Sequence, residues 1–114
     1  MTITTTIKIF RTDDTSSTLD VELPDAFGFS DLRAAMAETF GQGAHPEHVA
    51  VLYQGQRRDM FVDGDGHAKR LPRNDRATEI YRHNWMTQHP EADPESLPWI
   101  AGPAVLFPER PVWS

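Results

Sequence analysis

Three arrangements of residue types in this chain could do chemistry. Asp63-Gly64-Asp65-Gly66 sets two carboxylates in a glycine-rich turn, as a calcium loop begins. Such a loop starting at Asp63 needs glycine at its sixth position and glutamate at its twelfth. Those positions hold Ala68 and Asn74, so the segment reads as a hairpin turn. The five histidines raise zinc, since His45 and His48 share an HPEH segment and His83 and His89 flank a helix end. Zinc takes three or four convergent ligands. A proline-containing loop does not converge His45 with His48, and His83 faces off the apolar stripe. Solvated histidines are expected and no metal is assigned.

The third arrangement is cationic. Seven of the 11 basic residues lie between Arg57 and Arg82. Arg57, Arg58, Lys69, Arg70, Arg73 and Arg76 are the candidate binding residues, and with Phe61 or Tyr81 nearby they could track a nucleic-acid strand. The competing reading balances them against Asp59, Asp75 and Glu79, with Arg76–Glu79 an ordinary i, i+3 helix pair. Tyr81 falls on the core stripe, which takes it away from a stacking platform, so local charge balance is favoured.

Other chemistry finds little support. The five serines (Ser16, Ser17, Ser30, Ser96, Ser114) occupy turns, a cap, a loop and the terminus, without a G-x-S-x-G elbow. Asp13/Asp14 and Asp63/Asp65 read as exposed turns, not as carboxylates in a cleft that would shift their pKa values apart. Gly41-Gln42-Gly43 follows a helix, the wrong end for a phosphate. The absence of cysteine removes disulfides and thiolate chemistry. No catalytic residue and no cofactor is assigned.

The elements that must position these residues follow from periodicity. Ile3, Ile7 and Ile9 alternate with Thr4, Thr6 and Lys8, and Leu19, Val21 and Leu23 with Thr18, Asp20 and Glu22, predicting a hairpin with one wet face. Ser30 is expected to cap a helix bearing Leu32, Ala35, Met36 and Phe40, which Gly41 stops. After the GQGAHPEH loop, residues 49–53 read as a central strand, Gln54-Gly55-Gln56 as a turn, and residues 59–63 as a further strand. A short extension through Leu71 leads to Pro72 and to Asn74 as cap of a second helix. Its stripe of Ala77, Ile80, Tyr81, Asn84 and Trp85 should end near His89, before Pro90. A proline-rich acidic loop and a last strand, residues 104–107, complete the order β-β-α-β-β-α-β. The expected fold is one α+β domain over residues 1–114, a mixed, mainly antiparallel sheet with two helices. One core should hold Ile7, Ile9, Leu19, Val21, Leu32, Met36, Val51, Leu52, Phe61, Ile80, Tyr81, Trp85 and Val105, with Val112 and Trp113 docking.

Charge is uneven: residues 1–49 carry net -5, residues 50–89 net +2, and residues 90–114 net -3. The acidic total of -6 opposes non-specific approach to phosphate, while a local basic face can act at short range. No apolar run approaches the roughly 20 residues of a membrane span, and the first residues lack a signal-peptide pattern. A cytoplasmic protein is expected.

Met60-Phe61-Val62-Asp63-Gly64-Asp65-Gly66, Leu71-Pro72-Arg73-Asn74 and Ala77-Thr78, with the closing Ile100-Ala101-Gly102, resemble an uncharacterised domain-of-unknown-function family of phages, plasmids and mobile elements. The resemblance spans almost the whole chain, departing at residues 77–98. It implies an accessory role dispensable to the host and supplies no catalytic residues. The hairpin, helix and Val51-Leu52-Tyr53-Gln54-Gly55 also look like a ubiquitin-like β-grasp. Either way the expectation is a non-enzymatic accessory protein working through an unidentified protein partner, its surface within residues 54–76. Nucleic-acid binding by the basic segment is the alternative.

Overall fold

The structure, a computed structural model, describes residues 2–41 and 44–113. Gln42 and Gly43 of the expected GQGAHPEH loop, and Ser114, lie outside the described residues. Strands β1 (Thr2–Phe10) and β2 (Ser16–Pro24) pair antiparallel with no bulge, from Thr2 opposite Pro24 to Phe10 opposite Ser16. Between them Asp13 accepts hydrogen bonds from the Thr15 N–H and hydroxyl, the side-chain turn anticipated there. Strands β3 (Pro46–Tyr53) and β4 (Gln56–Asp63) form a second hairpin. Its two-residue turn has φ of 51° at Gln54 and 81° at Gly55. Positive φ at both centres is the type I′ geometry that matches strand twist, and glycine takes the second position without steric cost.

Strand β5 (Ala104–Phe107) lies between the hairpins, giving the order β2-β1-β5-β4-β3. Every pairing is antiparallel rather than mixed. A β-grasp runs its first and last strands parallel, so this sheet does not follow that layout.

Helices cover both faces. The first helical segment is broken into α1 (Phe29–Ala35) and α2 (Ala37–Phe40). Gly28, not Ser30, precedes it as N-cap, and Asp31 accepts the Gly28 N–H at 2.9 Å. Gly41 ends it. On the other face lies α3 (Asp75–Gln88), ending at His89. The expected single core is therefore two clusters separated by the sheet. Ile7, Ile9, Leu23, Leu32, Met36, Phe61, Val105 and Phe107 meet on the α1 side. Phe10, Val51, Met60, Ala77, Ile80 and Leu106 meet on the α3 side.

Three expected core residues, Leu19, Leu52 and Trp85, lie outside both clusters, Leu52 being half-buried on edge strand β3. Leu19 is 45% exposed and Trp85 38% exposed. Leu19 points to the correct face, but from an edge strand that the short α1–α2 pair does not fully roof. Asn84 reaches the Ala50 carbonyl on edge strand β3 at 3.1 Å, so Trp85 in the next position overhangs the sheet. There it stacks on His89, with ring centroids 4.3 Å apart.

Candidate functional site

The Asp63–Arg73 segment is a run of turns, not the extension that periodicity suggested. Asp63 is buried and organises it: Oδ1 accepts the Asp65 N–H at 2.9 Å and Oδ2 pairs with Lys69. The Gly66 carbonyl accepts from Leu71, and Arg70 sits in the left-handed region at φ 57°. A Cβ on Gly66 would lie 2.4 Å from the Ala101 carbonyl oxygen, so only glycine lets the turn close against the Ile100–Gly102 backbone.

Asn74 fixes this turn to both sheet and helix. It is fully buried; its Oδ1 accepts the Ala77 N–H at 3.0 Å, as a cap should. Its Nδ2 donates to the Phe10 and Gly102 carbonyls at 3.0 and 2.9 Å. Its own N–H donates to Ile100, whose N–H in turn donates to the buried Thr78 hydroxyl. Leu71-Pro72-Arg73-Asn74 is thus a structural clasp. Trp99 is held at its rim: His67 Nε2 lies 2.7 Å from the Trp99 carbonyl, and the two rings meet edge to face at 4.3 Å. Trp99 remains 36% exposed.

The candidate cations do not share one face. Arg57 and Arg58 open β4, whereas Lys69, Arg70 and Arg73 lie beyond its other end, roughly 20 Å away at about 3.3 Å per residue. Arg58 is turned inward to the Pro108 carbonyl at 2.9 Å. Lys69 pairs with Asp63, Arg73 with Asp75 at 3.1 Å, and Arg76 with Glu79 at 3.2 Å while its guanidinium sits 6.0 Å over the Phe10 ring. Arg82 is buried on the Leu97 carbonyl, beside Glu95. Among the described residues Arg57 and Arg70 are left without a side-chain partner. Lys69, Arg70 and Arg73 follow one another along the same run of turns that carries His67.

A second polar centre sits on the α1 face. Asp59 is 1% exposed and accepts three hydrogen bonds: His48 Nε2 at 2.7 Å, and the Val112 and Trp113 N–H groups at 2.8 and 3.2 Å. Because the carboxylate accepts, Nε2 carries the hydrogen in this network. The imidazole stacks on Trp113 at 5.3 Å and meets the Phe61 edge at 5.5 Å, while Trp113 packs edge to face on Phe29. A carboxylate-oriented imidazole is the arrangement of a general base. Asp59 is filled by the tail it anchors, and the pair ties β3 and β4 to residues 112–113. Among the described residues no group of three or more histidine or acidic side chains gathers to hold a metal ion, and no helix is long and apolar enough to cross a membrane.

No protein-family model, curated protein or solved structure matches the chain.

The His48–Asp59 tie is the feature that sequence reasoning missed. His48 was expected in a loop and solvated, but β3 begins at Pro46 and holds the side chain to 17% exposure. The signal was present. A two-residue turn at Gln54-Gly55 pairs His48 with Phe61 and Ala50 with Asp59, which puts His48 and Asp59 on one face as diagonal neighbours. A charge amid Met60-Phe61-Val62 then requires a buried partner.

Proposed function

We propose that this is a non-enzymatic accessory protein acting through contacts with another protein, and that the contact surface is the end of the sheet where the Asp63–Arg73 turns meet Trp99. One observation carries this reading: an exposed tryptophan, braced by His67, stands against the run of turns whose sequence also holds Arg70 and Arg73, on a scaffold clasped by Asn74. Tryptophan and arginine dominate the few residues that carry binding energy at protein interfaces, and loops fixed by a rigid sheet present them at low entropic cost. The dispersal of the other cations supports the same reading, since a strand of nucleic acid needs a continuous basic track. The resemblance to mobile-element proteins adds a host-dispensable role, and the composition of the chain adds a cytoplasmic one.

Nucleic-acid binding is the second reading, favoured by the same Trp99 with Lys69, Arg70 and Arg73. Affinity capture from the native host, with and without nuclease, separates the two. A protein partner retained after nuclease, and lost about tenfold or more in affinity with Trp99→Ala, is the expected result. Partners lost on nuclease treatment, together with direct DNA or RNA binding that weakens steeply with salt, would overturn it.

A further inference from the structure

The two edges of the sheet are treated differently by the rest of the chain. At β3 one outward-facing group is capped, the Ala50 carbonyl by Asn84, and each edge ends on a proline without an N–H, Pro46 in β3 and Pro24 in β2. Between its ends the outward-facing groups of β2 are open. The Thr6 N–H donates to Glu109 at 2.8 Å and so points away from β2. Alternation along an antiparallel pair then makes Thr6–Asp20 a pair without mutual hydrogen bonds. The main-chain groups of Asp20 therefore point out to the free edge. Thr18 and Glu22, two residues either side, do the same. Among the described residues none of these groups has a backbone partner on that side.

The side chains along this edge define what fits it. On the α1 face, Leu19 is exposed on a groove of about 480 Å³ lined by Ile7, Ile9 and Ala35 together with Arg11, Asp13 and Glu38. On the opposite face, Asp20 and Glu22 are both exposed, within an N-terminal stretch of net charge -5. Self-pairing of two β2 strands in the register centred on Asp20 would oppose like charges, which is destabilising.

We propose that β2 is the docking edge for an extended peptide segment in which apolar and basic residues alternate. The segment adds a sixth strand to the sheet. Its backbone pairs with Thr18, Asp20 and Glu22, its apolar side chains line up with Leu19 over the groove, and its cations face Asp20 and Glu22. Main-chain bonds give such strand addition its affinity and the alternate side chains its specificity. This surface is distinct from the Trp99 end; it rests on the protein-contact reading only in requiring a protein partner.

The probe is a synthetic ten-residue peptide alternating valine and lysine, titrated into the intact chain and followed by amide chemical shifts. Binding that shifts the Thr18, Asp20 and Glu22 amides is expected. Asp20→Lys with Glu22→Lys should weaken it about three- to tenfold, as exposed charge pairs do. Thr18→Pro, which removes an outward donor while leaving the β1–β2 bonds intact, should cost about fivefold or more. Unchanged thermal unfolding shows that each variant folds, and the charge pair keeps the test valid if the proline variant does not. Absence of binding, equal binding of a valine–glutamate peptide, shifts at β3 instead, or dimerisation through β2 would each overturn the proposal. A peptide that fails while nuclease-resistant capture through Trp99 succeeds would sink this inference and leave the proposed function standing.

Discussion

Asn74 uses both amide hydrogens and its carbonyl oxygen, with no access to water. Asn74→Ala therefore removes a helix cap and also leaves the Phe10 and Gly102 carbonyls buried without donors. At about 1 kcal/mol per bond the loss should approach 3 kcal/mol, read from the urea midpoint. Asn74→Asp keeps the cap but turns a buried carboxylate oxygen toward the two carbonyls, acceptor against acceptor, and should cost at least as much. Asp59 is the matching case on the other face. Asp59→Ala strands the Val112 and Trp113 N–H groups and frees His48, a cost of roughly 3 kcal/mol. Hydrogen exchange at Val112 should accelerate more than at Phe61, because the tail has lost its anchor while the strand keeps both neighbours.

At the scale of elements, α3 separates burial from periodicity. Ile80 is 5% exposed and Trp85 38% exposed, though both belong to one helical stripe. Ile80→Ala should cost about 2–5 kcal/mol, and Trp85→Ala under about 1 kcal/mol, a contrast that thermal unfolding reads directly. The stripe, the strands and the turns were legible in the sequence because alternation and 3.6-residue spacing are local properties. How far a helix extends past its sheet is not local: it depends on where β3 ends beneath α3. Leu19 illustrates the same limit, since alternation assigns it a face while the length of α1 and α2 decides whether anything covers that face. The cations were legible as a run, but β4 intervenes between Arg58 and Lys69 and carries the two groups to opposite ends. The Asn74 cap could be read from Pro72-Arg73-Asn74, whereas its bonds to Phe10 and Gly102 depend on tertiary placement.

Across the whole molecule, exposed carboxylates make folding sensitive to acid. Glu109 continues the work of β5 where that strand stops, holding the Thr6 N–H. Hydrogen bonds from Thr6 keep its carboxyl below the ordinary value of 4.5, and those from Thr15 keep Asp13 below 3.8. A carboxyl whose pKa is lowered on folding stabilises the fold above its ordinary value, and that contribution disappears as pH falls through the folded value. The contribution of these two carboxyls should thus be level from neutrality to about pH 5 and decline below pH 4.5. In Glu109→Gln the part of that decline due to this group should be absent, as denaturant midpoints measured between pH 7 and pH 3 would report.

The position of β5 bears on the order in which the chain can fold. It is the fifth strand in sequence and the third in space, and among the described residues it alone pairs by backbone with both hairpins. Until Phe107 has been synthesised, each hairpin on a ribosome carries an unpaired inner edge, and neither apolar cluster can close, since Val105 and Phe107 belong to one and Ala104 and Leu106 to the other. Four consecutive residues, one alternation of β-strand geometry, supply both cores at once. Folding should accordingly be late and cooperative, with the nascent protein dependent on protection of those edges until its last strand arrives.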